Sequence, residues 1–309
     1  MNTDRLLHAL SFDVEEYFQV ANLRGTFARS DWDGVASRLD IGMNAILGAL
    51  ERRDAKATFF FLGWIAERHP ALVRRCIDEG HEVASHGYEH SFLQDIGSPE
   101  ALALDLARTE DALMSAGASR PIGFRASTFT LTRSTWWAFD VLAQRGYRYD
   151  SSVHPVKHPT YGVPDFEPGI STVKTAFGDI VEFPVSTYPF LGRNLPVGGG
   201  GYFRLLPVRV TRAALRSLEK RGRPAAFYLH PWEFDPAQPR HAAAWHKRFR
   251  HYLNLERTLP RLEFLLQHFR FGTMRDVLAA EGALLANATD PHDQGALASP
   301  SSASTKPRK

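Results

Sequence analysis

Leu7-His8-Ala9-Leu10-Ser11-Phe12-Asp13-Val14 is a short, mostly apolar run that predicts a strand, and the pattern of the chain builds outward from it. Leu39, Met43, Ile46, Leu47 and Leu50 follow at helical spacing, then a second apolar run at 57–61. Further strands are predicted at 81–85, 122–125, 147–150, 180–184 and 225–230. Helices are predicted from Pro70 towards Gly80, from Ser98-Pro99-Glu100 onward, and at 133–144, 208–220, about 242–256, 260–268 and 273–280. Strands alternating with helices indicate an α/β fold with a mainly parallel sheet, either a barrel or an open doubly wound sheet. Asp13, His86, Arg125, Asp150 and His230 each fall at the C-terminal end of a different predicted strand. That rim is where barrels build their sites, so the barrel is favoured.

Composition narrows the function classes. The 309 residues carry 37 Lys+Arg against 34 Asp+Glu, a formal charge of +3 scattered along the chain, so no basic patch for nucleic acid stands out. A single cysteine, Cys76, excludes an intramolecular disulfide framework and a Cys-rich zinc site, and its apolar neighbours predict a buried side chain. No secretory signal is visible at Met1–Leu7, and the longest nearly apolar run, 57–66, is too short for a membrane span; a cytoplasmic protein is expected. From Ala286 the chain is Ala, Ser, Pro, Asp and Gly without periodicity, giving an expected organisation of one domain over 1–285 and a disordered tail over 286–309. Gly198-Gly199-Gly200-Gly201 lacks the Lys-Ser/Thr of a phosphate loop and is expected to be a mobile loop.

His86 and His90 are four residues apart, and a helical turn after the strand would aim both at one divalent ion. A third ligand can come from Phe12-Asp13-Val14-Glu15-Glu16, where extended chain puts Asp13 and Glu15 on one side and Glu16 on the other. Two carboxylates at a strand end can serve as metal ligand and general base. Glu16 is expected in a solvated acidic turn.

Five ordered segments resemble the motifs of the NodB-homology polysaccharide deacetylases, carbohydrate esterase family 4. They are Phe12-Asp13-Val14-Glu15, His86-Gly87-Tyr88-Glu89-His90, Arg125-Ala126-Ser127, Asp150-Ser151-Ser152 and Leu229-His230. Ser11–Phe18 and His230-Pro231-Trp232-Glu233 are similar to the branch encoded with bacterial exopolysaccharide and exosortase systems. The resemblance covers roughly residues 6–283 and implies a distorted (β/α)7 barrel. The chain departs from the pattern at Val14, where the family has a metal-binding Asp, so ligation shifts to Glu15; it departs again at Gly87, where the family has Ser or Thr.

The resemblance implies removal of N-acetyl groups from an N-acetylated sugar or glycan precursor. Glu15, His86 and His90 would hold a divalent ion, zinc by preference with cobalt or nickel able to substitute. Asp13 would be the base and His230 the acid. Arg125 would orient Asp13, and Asp150 would lie near His230 and raise its pKa. Tyr202, Arg204 and Trp232 are candidate sugar contacts. Competing expectations are a hydrolase of small cyclic or linear amides and a catalytically dead carbohydrate-binding protein; retention of both Asp13 and His230 argues against the latter.

Overall fold

The computed structural model describes residues 5–284; the predicted tail at 286–309 lies outside them. The strands are β1 (Leu7–Val14), β2 (Thr58–Phe61), β3 (Glu82–Ser85), β4 (Gly123–Phe124), β5 (Tyr149–Asp150), β6 (Ser171–Thr175), β7 (Gly178–Glu182), β8 (Thr187–Phe190), β9 (Arg193–Pro196), β10 (Ala226–Leu229) and β11 (Arg270–Gly272). The α-helices are α1 (Leu39–Glu51), α2 (Gly63–Arg68), α3 (Pro70–Asp78), α4 (Leu93–Ile96), α5 (Pro99–Ser115), α6 (Ala138–Gln144), α7 (Gly200–Leu205), α8 (Val208–Lys220), α9 (Trp245–Tyr252), α10 (Thr258–His268) and α11 (Met274–Ala280).

The order β10-β1-β2-β3-β4-β5-β7 is parallel throughout, with β6 antiparallel on the outer edge of β7. The two ends of this sheet approach each other. Ser186, just past β7, donates its backbone N–H to Ala226 O at 3.2 Å, and Gly199 bridges Tyr228 in parallel. The result is the distorted barrel expected from the sequence. β4 and β5 are only two residues long and pair through one or two positions, which is where the barrel departs from regularity.

β1 is the central strand, buried from His8 to Val14 and flanked by β2 and β10, with β11 alongside its first three residues. Burial on both faces explains why its apolar residues do not alternate cleanly with polar ones. Helices cover the outside with one face each. On α8, Thr211, Ala214, Leu215 and Leu218 are buried at helical spacing. α5 starts as predicted, with Ser98 Oγ accepting from Ala101 N at 3.2 Å and Pro99 in the first turn. Cys76 is buried, and burial pushes its thiol pKa up, out of the reactive range.

Three local expectations are corrected. The helix predicted over 133–144 is a 3-10 turn at Arg133–Thr135 followed by α6, and the one over 242–256 is confined to α9. β6, the β8–β9 hairpin and β11 have no counterpart in the sequence reading. The glycine run is no loose loop: Gly199, at φ +125°, and Gly200, at φ +55°, start α7 pressed against Tyr228. A Cβ on Gly199 would fall 1.8 Å from Tyr228 O, so only glycine admits this approach.

Candidate active site

β1 delivers two carboxylates to the rim. Asp13 is 2% exposed, and its Oδ1 accepts from Arg125 Nη1 at 2.6 Å. Arg125 is fully buried just past β4 and ties three strands together. Its Nη1 also donates to Ser11 Oγ at 2.8 Å, its Nε to Ser151 O at 3.0 Å and its Nη2 to Ser151 Oγ at 2.9 Å. Phe60 lies under the guanidinium, 4.2 Å from Cζ to ring centre. A buried arginine held at every nitrogen cannot swing away, so Asp13 keeps both its charge partner and its direction.

Glu15, His86 and His90 come together on the same rim, with one ligand atom from each lying within 4.8 Å of the others. His86 Nδ1 donates to Arg125 O at 2.7 Å, which leaves Nε2 as the lone pair facing the cluster. Burial lowers the His86 pKa to about 4, keeping the imidazole neutral as ligation requires. His90 Nε2 stands 2.8 Å from Glu15 Oε2, a buried oxygen that accepts no hydrogen bond. Burial alone would raise the Glu15 pKa, but His90 first and His230 next outweigh it and hold the carboxyl at about 2. A charged, buried oxygen without a hydrogen-bond donor, facing two imidazoles, fits a divalent cation of the kind the sequence implies.

The two histidines do not share a helical turn, as the sequence reading assumed. Residues 86–91 form a bent loop in which Gly87 (φ +76°) and His90 (φ +54°) both take left-handed backbone. Left-handed backbone at a non-glycine ligand stores strain, which the surroundings must hold. Here Tyr88 N donates to Asp105 Oδ2 at 3.0 Å and Tyr88 OH to Glu67 Oε2 at 2.5 Å. The positive φ also accounts for glycine at position 87. Glu16 points away from the site, but it is not solvated: at 1% exposure it accepts from Ser37 Oγ and from the Arg38 backbone N–H.

His230 follows β10, the neighbour of β1, and reaches the same carboxylates, with Nε2 3.4 Å from Glu15 Oε1 and 3.9 Å from Asp13 Oδ2. Its other nitrogen is held by Glu233, not by Asp150. Glu233 Oε2 lies 3.0 Å from His230 Nδ1 and accepts the His230 backbone N–H at 2.9 Å. Burial would lower the imidazole pKa, yet the Glu233 bond and the charges of Glu15, Glu233 and Asp13 raise it to about 9. Glu233 is a positioning residue that the motif order does not single out. The signal was present in His230-Pro231-Trp232-Glu233, a Pro at the first helical position with an acid at the third.

Three further expectations are corrected by where the side chains lie. Asp150 accepts from Ser152 N at 2.9 Å and Ser152 Oγ at 2.6 Å, and faces Glu182 beneath Arg125. Burial and the Asp150 charge push Glu182 well above the carboxylate range, so Glu182 carries the proton of this pair. Arg204 donates to Glu233 Oε1 at 2.6 Å and to the carbonyls of Arg250, His251 and Leu253, and at 1% exposure it lies out of a sugar's reach. Trp232 lies stacked between His251 (4.4 Å) and His230 (5.3 Å), and its Nε1 donates to Glu15 Oε1 at 3.2 Å, so it walls and orients the cluster. Among the candidate sugar contacts Tyr202, Arg204 and Trp232, only Tyr202, 38% exposed on α7, keeps a face open.

Residues 34–149 match the profile described as polysaccharide deacetylase, and residues 151–279 match a domain of unknown function (DUF3473). The junction falls at Asp150, inside a sheet that runs continuously across it. Curated relatives include the peptidoglycan-N-acetylglucosamine deacetylase PgdA of Listeria monocytogenes, 43% identical over 58 residues, 19% of this chain and 12% of the relative. The chitooligosaccharide deacetylase of Rhizobium leguminosarum bv. trifolii is 42% identical over 71 residues, 23% of this chain and 33% of the relative. The matched stretch thus spans a third or less of either relative. Among solved structures, one assigned as a polysaccharide deacetylase from Mycobacterium smegmatis superposes with a TM-score of 0.61 at 19% identity, covering 94% of this chain and 97% of that one, a likeness of fold.

Proposed function

We propose, from the match of residues 34–149 to the polysaccharide deacetylase profile and from the geometry of the rim, that this chain hydrolyses the N-acetyl group of an amino sugar in a cell-envelope glycan or its precursor. The observation that carries the reading is that a carboxylate and an imidazole, Asp13 and His230, stand 3.9 Å apart beside the Glu15, His86 and His90 cluster, with His230 Nε2 3.4 Å from Glu15 Oε1. Neither a base nor an acid is needed for binding alone.

Glu15 and the Nε2 atoms of His86 and His90 would hold the divalent ion, with zinc the best match to one carboxylate and two neutral imidazoles. Bound there, such an ion polarises an acyl oxygen and makes a water more acidic. Asp13, aimed by Arg125, would take the proton from an attacking water as that water's oxygen bonds to the acetyl carbon. Breaking the C–N bond expels an amine, which must gain a proton as it leaves. His230 supplies it from Nε2, while Glu233 on Nδ1 stabilises the charged ring before transfer. The products are acetate and the free amino sugar. Trp232 keeps Glu15 aimed by bonding its second oxygen.

The test is acetate release from N-acetylglucosamine oligomers by the metal-loaded full chain, compared with the chelated protein and with Asp13→Asn. Activity confined to the loaded wild type supports the proposal. Glycan binding without acetate release under any metal would overturn it in favour of a binding protein.

A further inference from the structure

The exposed face of α9 combines cations with exposed aromatic rings. From Pro236 to Leu255 the chain contains Arg240, Lys247, Arg248 and Arg250, three histidines and no acid. On the same segment Trp245 is 79% exposed and Phe249 56% exposed, one helical turn apart. Together with Arg240 and Arg248 they line an open groove of about 280 Å³ whose floor is Tyr252 and Leu253.

The inner side of this segment is fixed to the catalytic rim. His241 stacks on Tyr17 at 5.8 Å and meets Phe27 edge-on at 4.6 Å, both in the loop that leaves β1. Thr26 Oγ1 in that loop donates to Ala242 O at 3.0 Å, and His251 stacks on Trp232 beside the metal cluster. The outer side therefore points out from the face that holds the site.

We infer that this face of α9 docks on an anionic lipid surface. Exposed Trp and Phe beside a cluster of cations is the composition of an interfacial helix: the aromatic rings enter the headgroup layer while Lys and Arg remain among lipid phosphates. A glycan fits less well. Sugar hydroxyls require acceptors as well as donors, and the groove offers no carboxylate or amide; its one hydroxyl, Tyr252 OH, already donates to Pro239 O at 3.1 Å and accepts from His241 N at 2.9 Å. Nor is Trp245 held rigid by packing, as a stacking platform for a sugar ring would be. Docked in this way, the rim would face substrates held at a membrane.

The experiment is co-sedimentation of the full chain with vesicles of phosphatidylcholine alone or with about 30% phosphatidylglycerol, at low and high salt. Binding is expected only to the anionic vesicles and is expected to weaken with salt. Trp245→Ala with Phe249→Ala should weaken it at least tenfold, and Arg248→Glu roughly 25-fold, about fivefold for each unit of charge changed. Hydrolysis of a soluble activated acetate ester should be unchanged in both, which establishes that the variants are folded. Three results would each overturn the inference: no vesicle binding at low salt, binding that survives loss of both aromatic residues, or retention by a soluble polyuronate with none by vesicles. Since the readout is pelleted protein, failure here is distinct from failure to release acetate.

Discussion

Glu233 grips His230 at two points, accepting from its backbone N–H at 2.9 Å and facing its Nδ1 at 3.0 Å through the same oxygen. Arg204 holds the other oxygen of Glu233 at 2.6 Å, so the imidazole is fixed by a buried chain of charges. Glu233→Gln removes the charge and keeps the shape. A histidine whose pKa is raised to about 9 stays protonated up to that pH; without the carboxylate the proton leaves at lower pH. The alkaline limb of the pH–rate profile should therefore move to lower pH, with amide hydrolysis falling roughly 10- to 100-fold at pH 8. An activated aryl acetate, whose leaving group needs no acid, should lose far less. Equal losses on both substrates would show that Glu233 only supports the fold.

The metal assignment rests on which side of β1 each carboxylate faces. Glu15→Gln should lower zinc occupancy by 10-fold or more, by analogy with the loss of a charged ligand, while Glu16→Gln should leave occupancy unchanged. Glu16 is bonded to Ser37 and Arg38, so its loss should appear as lower thermal stability. Metal analysis after dialysis reads the first effect and thermal unfolding of the metal-free protein reads the second. Equal metal loss in both variants would refute the assignment.

These two cases mark what local sequence can decide. Strand periodicity puts Glu15 and Glu16 on opposite sides, and in the structure Glu15 meets His86 and His90 while Glu16 meets Ser37 and Arg38, because in extended chain the choice of face depends only on neighbouring positions. It erred on the solvation of Glu16, since the covering residues Ser37 and Arg38 lie across a loop. Arg125 and Asp13 were paired by motif order, and the pair exists at 2.6 Å. The partner of His230 was misassigned because Asp150 lies two strands of the barrel away in contact terms, while Glu233 was three residues off in a pattern that local capping rules describe. β4 and β5 show the same limit in the fold: their runs of apolar residues are visible in the sequence, but how few positions pair depends on the neighbouring strands, which are distant in sequence. The destination of Arg204, on carbonyls 46 or more positions away, has no local signature.

The glycine run makes a stability prediction. Gly199 packs its backbone on Tyr228 at the seam of the barrel and sits at φ +125°, a region that side chains avoid. Gly199→Ala should lower stability by about 3 kcal/mol, more than Gly25→Ala, where a Cβ would meet nothing within 4 Å. Thermal unfolding of both variants measures the difference. If the two behave alike, the seam is not closed at Gly199.

Asp105 gives a pH signature for the loop that carries the two histidines. Its carboxylate accepts from Tyr88 N, yet burial first, with help from the Glu89 charge, raises its pKa to about 6. Unfolded, the group titrates near 3.9. The folded state therefore binds a proton more tightly than the unfolded chain. The stability this confers is full below about pH 4 and is lost as pH rises through about 6. Above that, the native protein bears the cost of an ionised, desolvated carboxylate. Asp105→Asn keeps a carbonyl to accept from Tyr88 and cannot ionise. It should be more stable than wild type by about 1–2 kcal/mol at pH 7.5, with the gain vanishing at pH 4. Denaturant unfolding of the metal-free proteins at both pH values isolates the difference from the other titrating groups. A variant less stable than wild type by the same amount at both would mean that Asp105 serves the loop as a carboxylate, and that its charge is compensated in the folded protein.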